Sequence, residues 1–248
     1  MIYNPYTLEG KTILITGASS GIGRCTAIEC SKMGAKLVVT GRNEERLNET
    51  FECLEGKGHI QFVADLIEED AIRLLVEEMP VLDGVFFCAG VTDTTLIKFL
   101  NKEKIDRVFN INFVSPVLLT KGLVQKKKIN KMASFVYMSS MGAEAIAPGL
   151  GIYAASKNAI NAMAKTIALE LVSRHIRVNT IMPSMIKTEL LESLTSFSEE
   201  DLAKDEAKYP LGYGKPEDVA YAAIYLLSDA SRWMTGSFIK MDGGSTLA

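Results

Sequence analysis

Short apolar runs rich in Val and Ile recur along the chain, each ending in a Gly, Asn or Asp cluster and followed by a longer stretch with apolar residues at helical spacing. That alternation is what a parallel sheet with crossover helices requires. It predicts strands near Thr12–Thr16, Leu37–Thr40, Ile60–Val63, Gly84–Cys88, Ser134–Met138, Arg177–Met182 and Phe238–Met241. None alternates cleanly between polar and apolar positions, as expected of strands covered by helices on both faces. Helices are expected over Gly21–Met33, Glu44–Leu54, Glu68–Glu78, Lys102–Gln125, Ile152–Ser173 and Pro216–Ser228. The last opens with a proline, then Glu217 and Asp218, whose charges suit the positive end of a helix dipole. The fold class that follows is α/β, a doubly wound parallel sheet of about seven strands with helices on both faces.

Two stretches break the rhythm. The segment at about 185–213 sets Leu190, Leu191, Leu194 and Leu202 among polar and acidic residues. It predicts an inserted pair of short helices over the sheet's edge, the place of a substrate loop or lid. Between a helix and a strand, Lys126, Lys127, Lys128 and Lys131 form a basic connection that, taken alone, reads as a solvated turn.

Composition narrows the chemistry. The 248 residues, 48% of them hydrophobic, can bury a full core, and α/β folds of this length run as one unit, so 1–248 is read as a single domain. The 27 Lys and Arg are outnumbered by 30 Asp and Glu, with no basic block able to neutralise a phosphate backbone, which argues against nucleic acid as a partner. Four cysteines lack CxxC spacing and only His59 and His175 could join them, so no metal site is expected. The N-terminus has no basic start with an apolar run, and no stretch reaches the roughly 18 apolar residues of a membrane span. A cytoplasmic chain with reduced thiols is expected, in which the sequon at Asn48 has no meaning.

The turn Thr16-Gly17-Ala18-Ser19-Ser20-Gly21-Ile22-Gly23 joins the first strand to the first helix. Glycines there permit a sharp reversal and let backbone N–H groups approach a pyrophosphate, while the helix N-terminus favours negative charge. The spacing GxxxGxG, with a strand before it and a helix after it, points to a dinucleotide. The same residues match GxSxG, with Ser19 as the nucleophile of a hydrolase. That reading needs a later acid and histidine, and only His59 and His175 are available. Where an NAD enzyme would carry an acid at the end of its second strand, this chain reads Val39-Thr40-Gly41-Arg42-Asn43. Gly41 offers no carboxylate to repel a 2′-phosphate, and Arg42 can pair with one through its planar fork, with Arg24 a candidate helper. NADPH is therefore expected over NADH.

Tyr153-Ala154-Ala155-Ser156-Lys157 sets a phenol and an ammonium on one helical face. Thirteen residues earlier, Ser140 ends a predicted strand, at the sheet edge where ligands bind. Reduction of a ketone by hydride transfer builds charge on oxygen, and needs a hydrogen-bond donor and a proton source there. Tyr153 would be that source, with Lys157 expected to pull its titration toward neutrality and Ser140 a second donor.

With TGASSGIG, Asp65, Asn112, Ser140, YxxxK, Pro183 and Thr188 in this order, the chain resembles the short-chain dehydrogenase/reductase family over nearly its whole length. The resemblance implies a Rossmann-type sheet and an NAD(P)-dependent oxidoreductase. It makes Tyr153 the proton donor, Lys157 its activator and ribose ligand, Ser140 the carbonyl partner and Asn112 a support for proton relay. Cofactor contacts are implied at Gly17, Ser19, Ser20, Gly21, Ile22, Gly23, Arg42, Asp65, Leu66, Cys88, Ala89, Gly90, Pro183, Ile186 and Thr188, with Asp65 at the adenine and Thr188 at the carboxamide. Two positions depart from the family pattern: Cys88 where Asn is usual before Ala89-Gly90, and Ser184 where Gly is usual after Pro183.

The tail from Pro210 through Thr235-Gly236 to Met241-Asp242-Gly243-Gly244 is similar to that of beta-ketoacyl acyl-carrier-protein reductases. This implies a ketoacyl thioester substrate, docking of an acidic carrier protein at Lys128, Lys131 and Arg174, and a homotetramer. Relatives that reduce sugars, steroids and other small ketones share the tail, and the acidic run Glu199-Glu200-Asp201 would repel a carrier protein if it faced the cleft. A non-catalytic cofactor-binding regulator is the remaining class, but such proteins lose Tyr or Lys and this chain keeps both.

Overall fold

Val, Ile, Leu and Phe at successive positions suit strands that bury both faces. The computed structural model, which describes residues 3–192 and 199–247, pairs seven of them in parallel. They are β1 (Thr12–Thr16), β2 (Lys36–Gly41), β3 (Ile60–Val63), β4 (Leu82–Phe87), β5 (Ile129–Met138), β6 (Arg177–Pro183) and β7 (Phe238–Met241). Their order is β3-β2-β1-β4-β5-β6-β7. The helices are α1 (Gly21–Lys32), α2 (Glu44–Glu52), α3 (Glu69–Glu78), α4 (Lys102–Phe109), α5 (Ser115–Gln125), α6 (Gly151–Leu171), α7 (Glu189–Glu192), α8 (Glu199–Glu206) and α9 (Pro216–Leu227).

Neighbouring residues of a strand point to opposite faces, and the core divides accordingly. Leu14, Phe87, Phe135 and Tyr137 pack with Leu75 of α3, Leu119 and Leu123 of α5, and Ile160 and Ala164 of α6. Ile13, Ile15, Phe86 and Val136 pack on the other face with Ala27 of α1 and Val219 and Ala223 of α9. The chain runs β1, β2, β3 outward on one side and then returns to lay β4 on the other side of β1. The crevice past the ends of β1 and β4 is thus the switch point where such sheets bind ligands.

Two elements differ from expectation. The helix expected over Lys102–Gln125 is interrupted by a π-helical turn at Asn110–Val114. Pro116 has no N–H for the Asn112 carbonyl, and the Ser115 N–H reaches the Asn110 carbonyl five residues back. The Ser115 hydroxyl completes the turn by donating to the carbonyls of Asn110 and Leu66. Strand β5 starts at Ile129 rather than Ser134, with a register shift against β4 and a left-handed backbone at Met132 (φ 64°) that obscures the strand pattern.

The insertion holds the expected two short helices, α7 and α8, with Leu194 outside the described residues. Its base closes through a parallel bridge between Ile186 and Gly214. Helix α9 starts at Pro216 as expected, and the Asp218 carboxylate accepts the Lys215 N–H at 2.7 Å.

Phe87 sits at the centre of the first core layer, stacked on Tyr137 at 4.4 Å and edge-on to Phe135 at 5.8 Å. Phe87→Ala is expected to lower the free energy of unfolding by about 3–5 kcal/mol in denaturant titrations.

Candidate active site

The glycine turn is built by exclusion of side chains. Gly17 takes φ 69°, and a Cβ there would lie 2.8 Å from the Cα and N of Ala89; one on Gly23 would lie 2.2 Å from the Gly17 carbonyl oxygen. The buried hydroxyl of Thr16 accepts the N–H groups of both Cys88 and Ala89 at 3.1 Å, joining the ends of β1 and β4. The Ala18 N–H donates to the Thr40 carbonyl at 3.1 Å, tying the turn to β2. Ser20 is the N-cap of α1 and its side chain makes no capping bond, so the first N–H groups of α1 have no side-chain acceptor from it. A Cβ on Gly41 would press on the Ser19 side chain at 3.1 Å, and Gly21 lies under the Thr188 methyl. An uncapped helix start behind a backbone-only turn fits a pyrophosphate.

The other expected cofactor residues surround this crevice. Arg42 is exposed just past β2. Arg24 is held by Glu49 at 3.1 Å. Asp65 follows β3, its carboxylate accepting the Ile67 N–H at 3.1 Å, and Leu66 is buried beside it. Pro183 ends β6, and the backbone then passes Ser184 and Ile186 to reach Thr188 over Gly21.

The four expected catalytic residues come together at the same sheet edge. Ser140 follows β5 with its hydroxyl accepting the Gly142 N–H at 3.0 Å, and it is hydrogen-bonded to the Tyr153 phenol. One helical turn along α6 from Tyr153, the Lys157 ammonium is 5.7 Å from the phenol ring centre and donates to the Met138 carbonyl at 2.9 Å. Asn112, in the π-helical turn, donates to the Val91 carbonyl at 2.9 Å and to the Ser156 hydroxyl at 3.0 Å, and accepts the Val91 N–H at 2.9 Å. Gly90 lets the backbone pass this group: its Cβ would be 3.2 Å from the Asn112 side-chain oxygen and 3.4 Å from the Lys157 ammonium.

Titration differs from expectation in one respect. Burial raises the Tyr153 phenol above its ordinary value, opposed by the bond from Ser140, whereas a shift toward neutrality was expected. Lys157 is itself 4% exposed, and burial brings its ammonium down to about 8. Burial also pushes the Cys88 thiol up to about 12, consistent with a small packing residue.

Several residues of the site escaped sequence reasoning. Thr16 was visible only as the last residue of a strand, yet its hydroxyl joins the end of β4 through the backbone N–H groups of Cys88 and Ala89, whichever side chain stands at position 88. Ser156 supports Asn112, and Asn158 donates to the Ala143 carbonyl at 2.7 Å, fastening the Met141–Ala143 turn beside Ser140. Neither has a signal beyond its place on α6.

The basic residues expected beside the cleft lie elsewhere. Lys128 donates to the carbonyls of Glu77 and Met79 at 2.9 and 2.8 Å, closing α3, and Arg174 donates to the Ile129 carbonyl. Both sit where β5 begins, and Lys131 is in its first half, whereas Ser140 follows its end. The length of β5 separates them by roughly 25–30 Å, so they do not flank this protomer's own cleft.

A family model described as enoyl-(acyl carrier protein) reductase matches residues 17–246. The chain is 34% identical to a 3-oxoacyl acyl-carrier-protein reductase of Rickettsia conorii, over 96% of this chain and 97% of that one. It is 35% identical to the enzyme of the same name from Thermotoga maritima, over 96% and 98%. Among solved structures, a putative NAD(P)-dependent gluconate 5-dehydrogenase from Beutenbergia cavernae, with bound NADP at low occupancy, superposes with a TM-score of 0.89 at 26% identity, covering 99% and 100% of the two chains. A short-chain type dehydrogenase/reductase from Mycobacterium marinum gives 0.87 at 29%, covering 98% of each. Among the described residues no helix is long and apolar enough to cross a membrane.

The lowered Lys157 value has a consequence for stability. Between about 8 and 10.5 the unfolded chain holds more protons on this amine than the folded one, so stability rises with pH across that window. Lys157→Met is expected to raise stability near pH 7 by up to about 3 kcal/mol and to flatten the rise, as followed by denaturant titration at several pH values.

Proposed function

Since the chain belongs to the short-chain dehydrogenase/reductase family of NAD(P)-binding oxidoreductases, we propose that it reduces a ketone to a secondary alcohol with NADPH, the substrate being a 3-oxoacyl thioester. The observation that carries this reading is the convergence of Ser140, Tyr153, Lys157 and Asn112 beside the Gly17–Gly23 turn, all at one sheet edge. Bound there, the reduced nicotinamide supplies the hydride for the carbonyl carbon. The hydroxyls of Ser140 and Tyr153 are donors for the carbonyl oxygen, and Tyr153 gives it a proton. A phenol held high by burial stays protonated until charge builds on that oxygen, which suits a donor in the reductive direction. Lys157 stabilises the phenolate left behind and holds the ribose, while Asn112 braces the β4 loop and α6 against each other.

Gly17 to Gly23 would hold the pyrophosphate, Arg42 the 2′-phosphate, and Asp65 and Leu66 the adenine. Cys88, Ala89 and Gly90 would line the ribose, with Pro183, Ile186 and Thr188 at the nicotinamide. The substrate class rests on the names of the relatives, which act on carrier-bound 3-oxoacyl groups. Since Lys128, Lys131 and Arg174 lie at the far edge of the sheet, docking of a carrier protein on them requires a second subunit whose cleft faces that edge. A homotetramer, the state implied by the resemblance, offers such neighbours. The setting is cytoplasmic, in a single domain with the substrate loop at about 185–213.

Tyr153→Phe is expected to bind NADPH as the parent does and to lose at least about a thousandfold in turnover. Retained turnover overturns the mechanism. Arg42→Ala should raise the NADPH dissociation constant about tenfold and leave that for NADH unchanged. In a panel of 3-oxoacyl thioesters, enoyl thioesters, steroid ketones and keto sugars, the first alone should drive NADPH oxidation; turnover of another class reassigns the substrate.

A further inference from the structure

Ser184, one of the two departures from the family pattern, has a partner in the structure. Its hydroxyl lies 3.0 Å from the phenolic oxygen of Tyr209, a residue 25 positions later on the returning leg of the insertion. The Ser184 N–H is also fixed, donating to the Met241 carbonyl of β7 at 2.8 Å. The backbone at Ser184 is therefore held by the sheet, while its side chain is held by the insertion.

Two backbone hydrogen bonds at Gly214 and one ion pair also join the two legs, and further contacts brace the returning leg itself. The Lys187 N–H donates to the Gly214 carbonyl at 2.9 Å, and the Gly214 N–H to the Met185 carbonyl at 3.0 Å. Lys187 and Glu206 pair at 2.7 Å. Tyr209 packs edge-on against Tyr213 at 5.0 Å, and the Tyr213 hydroxyl donates to Asp205 at 2.7 Å. The turn after Tyr209 rests on the chain's last turn, with the Leu211 N–H donating to the Gly243 carbonyl at 3.0 Å. The end of the Ile186 side chain lies against Gly214, 2.6 Å from where a Cβ would stand. The first leg, 184–188, ends with Thr188 over Gly21 of the glycine turn. Whatever fixes this leg also fixes what covers the turn.

We propose that the Ser184–Tyr209 hydroxyl pair is a positioning device for the cofactor, setting the leg from Pro183 to Thr188 in register over the glycine turn. It rests on the reading that this crevice binds NADPH. With glycine at position 184 the leg would keep its backbone bonds and the Lys187–Glu206 pair; the hydroxyl adds a second side-chain tie, at the residue where the leg leaves the sheet. Ser184 and Tyr209 act through Thr188 and Ile186, so their loss weakens cofactor binding and leaves the ketone oxygen's donors in place.

The test measures NADPH dissociation constants, steady-state kinetics and melting temperatures for the full-length parent, Ser184→Ala, Tyr209→Phe and the double variant. Each single change should raise the NADPH dissociation constant and KM about fivefold, with kcat, the ketone KM and the melting temperature near those of the parent. The double variant should also lose about fivefold, because one shared bond is removed either way; independent effects would multiply to about 25-fold and overturn the pairing. Ser184→Thr, which keeps the hydroxyl, should restore binding to within about twofold of the parent. Unchanged NADPH binding in variants with lowered melting temperature would mark a purely structural tie and overturn the proposal. If Ser184→Ala does not fold, Ser184→Gly removes the same hydroxyl and carries the same expectations. A parent that binds neither NADPH nor NADH would refute the cofactor reading itself, a result distinct from variants that bind as the parent does.

Discussion

Past the ends of β1 and β4 there is no room for a methyl group. Gly17 meets the backbone of Ala89 so closely that a Cβ would sit 2.8 Å from it, and Gly23 stacks on the Gly17 carbonyl more tightly still. The strand order reverses at this point, so a crevice opens between chains leaving in opposite directions. The Thr16 hydroxyl joins the two ends by taking both the Cys88 and the Ala89 N–H. The rest of the site depends on this join. It sets the glycine turn against β2 on one side and aims the chain after β4 toward Asn112 on the other.

From there the constraint passes through a continuous set of hydrogen bonds. Val91, three residues past Cys88, is held in both directions by the Asn112 side chain, and Asn112 is held by Ser156 in the turn of α6 that carries Tyr153 and Lys157. Lys157 in turn bonds the Met138 carbonyl at the end of β5, two residues before Ser140. The glycine-lined crevice and the Tyr153 phenol are thereby fixed relative to each other by backbone and buried polar groups rather than by exposed surface chains. The first leg of the insertion brings Thr188 over Gly21 and is tied at its base by Ser184, Ile186 and Lys187 to the leg that returns through Glu206, Tyr209 and Gly214.

Most of this arrangement was legible in the sequence because it is local. The glycine turn with its preceding strand, Arg42 at the end of β2 and the Tyr153–Lys157 step are each set by residues a few positions apart, and the alternation of strands and helices places each at the same sheet edge. What was hidden depends on register and on distant partners. The π-helical turn at Asn110–Val114 has a sequence signal in Pro116, yet the apolar spacing on either side suits one unbroken helix. The start of β5 was obscured by the left-handed Met132 and by lysines that suggest a turn. The resemblance implies docking at Lys128, Lys131 and Arg174, and charge along a sequence does not reveal which end of a strand it occupies. The bonds of Lys128 and Arg174 to carbonyls at the end of α3 and the beginning of β5 show a part in closing elements. The Tyr153 titration depends on burial by segments far apart in the chain, which spacing on one helix cannot report.

In the proposed reaction Ser140 and Tyr153 would hold the oxygen of a ketone whose carbon takes a hydride from NADPH, with the Gly17–Gly23 turn holding the pyrophosphate of the same cofactor. The most direct measurement is isotope transfer from NADPH carrying deuterium at both C4 positions of the nicotinamide to a 3-oxoacyl thioester, with the product examined by mass spectrometry and NMR. One deuterium is expected on the carbinol carbon of the 3-hydroxyacyl product and none elsewhere. NADPH consumption that yields an unlabelled carbinol carbon, or no product carrying the label, overturns hydride transfer to the ketone carbon.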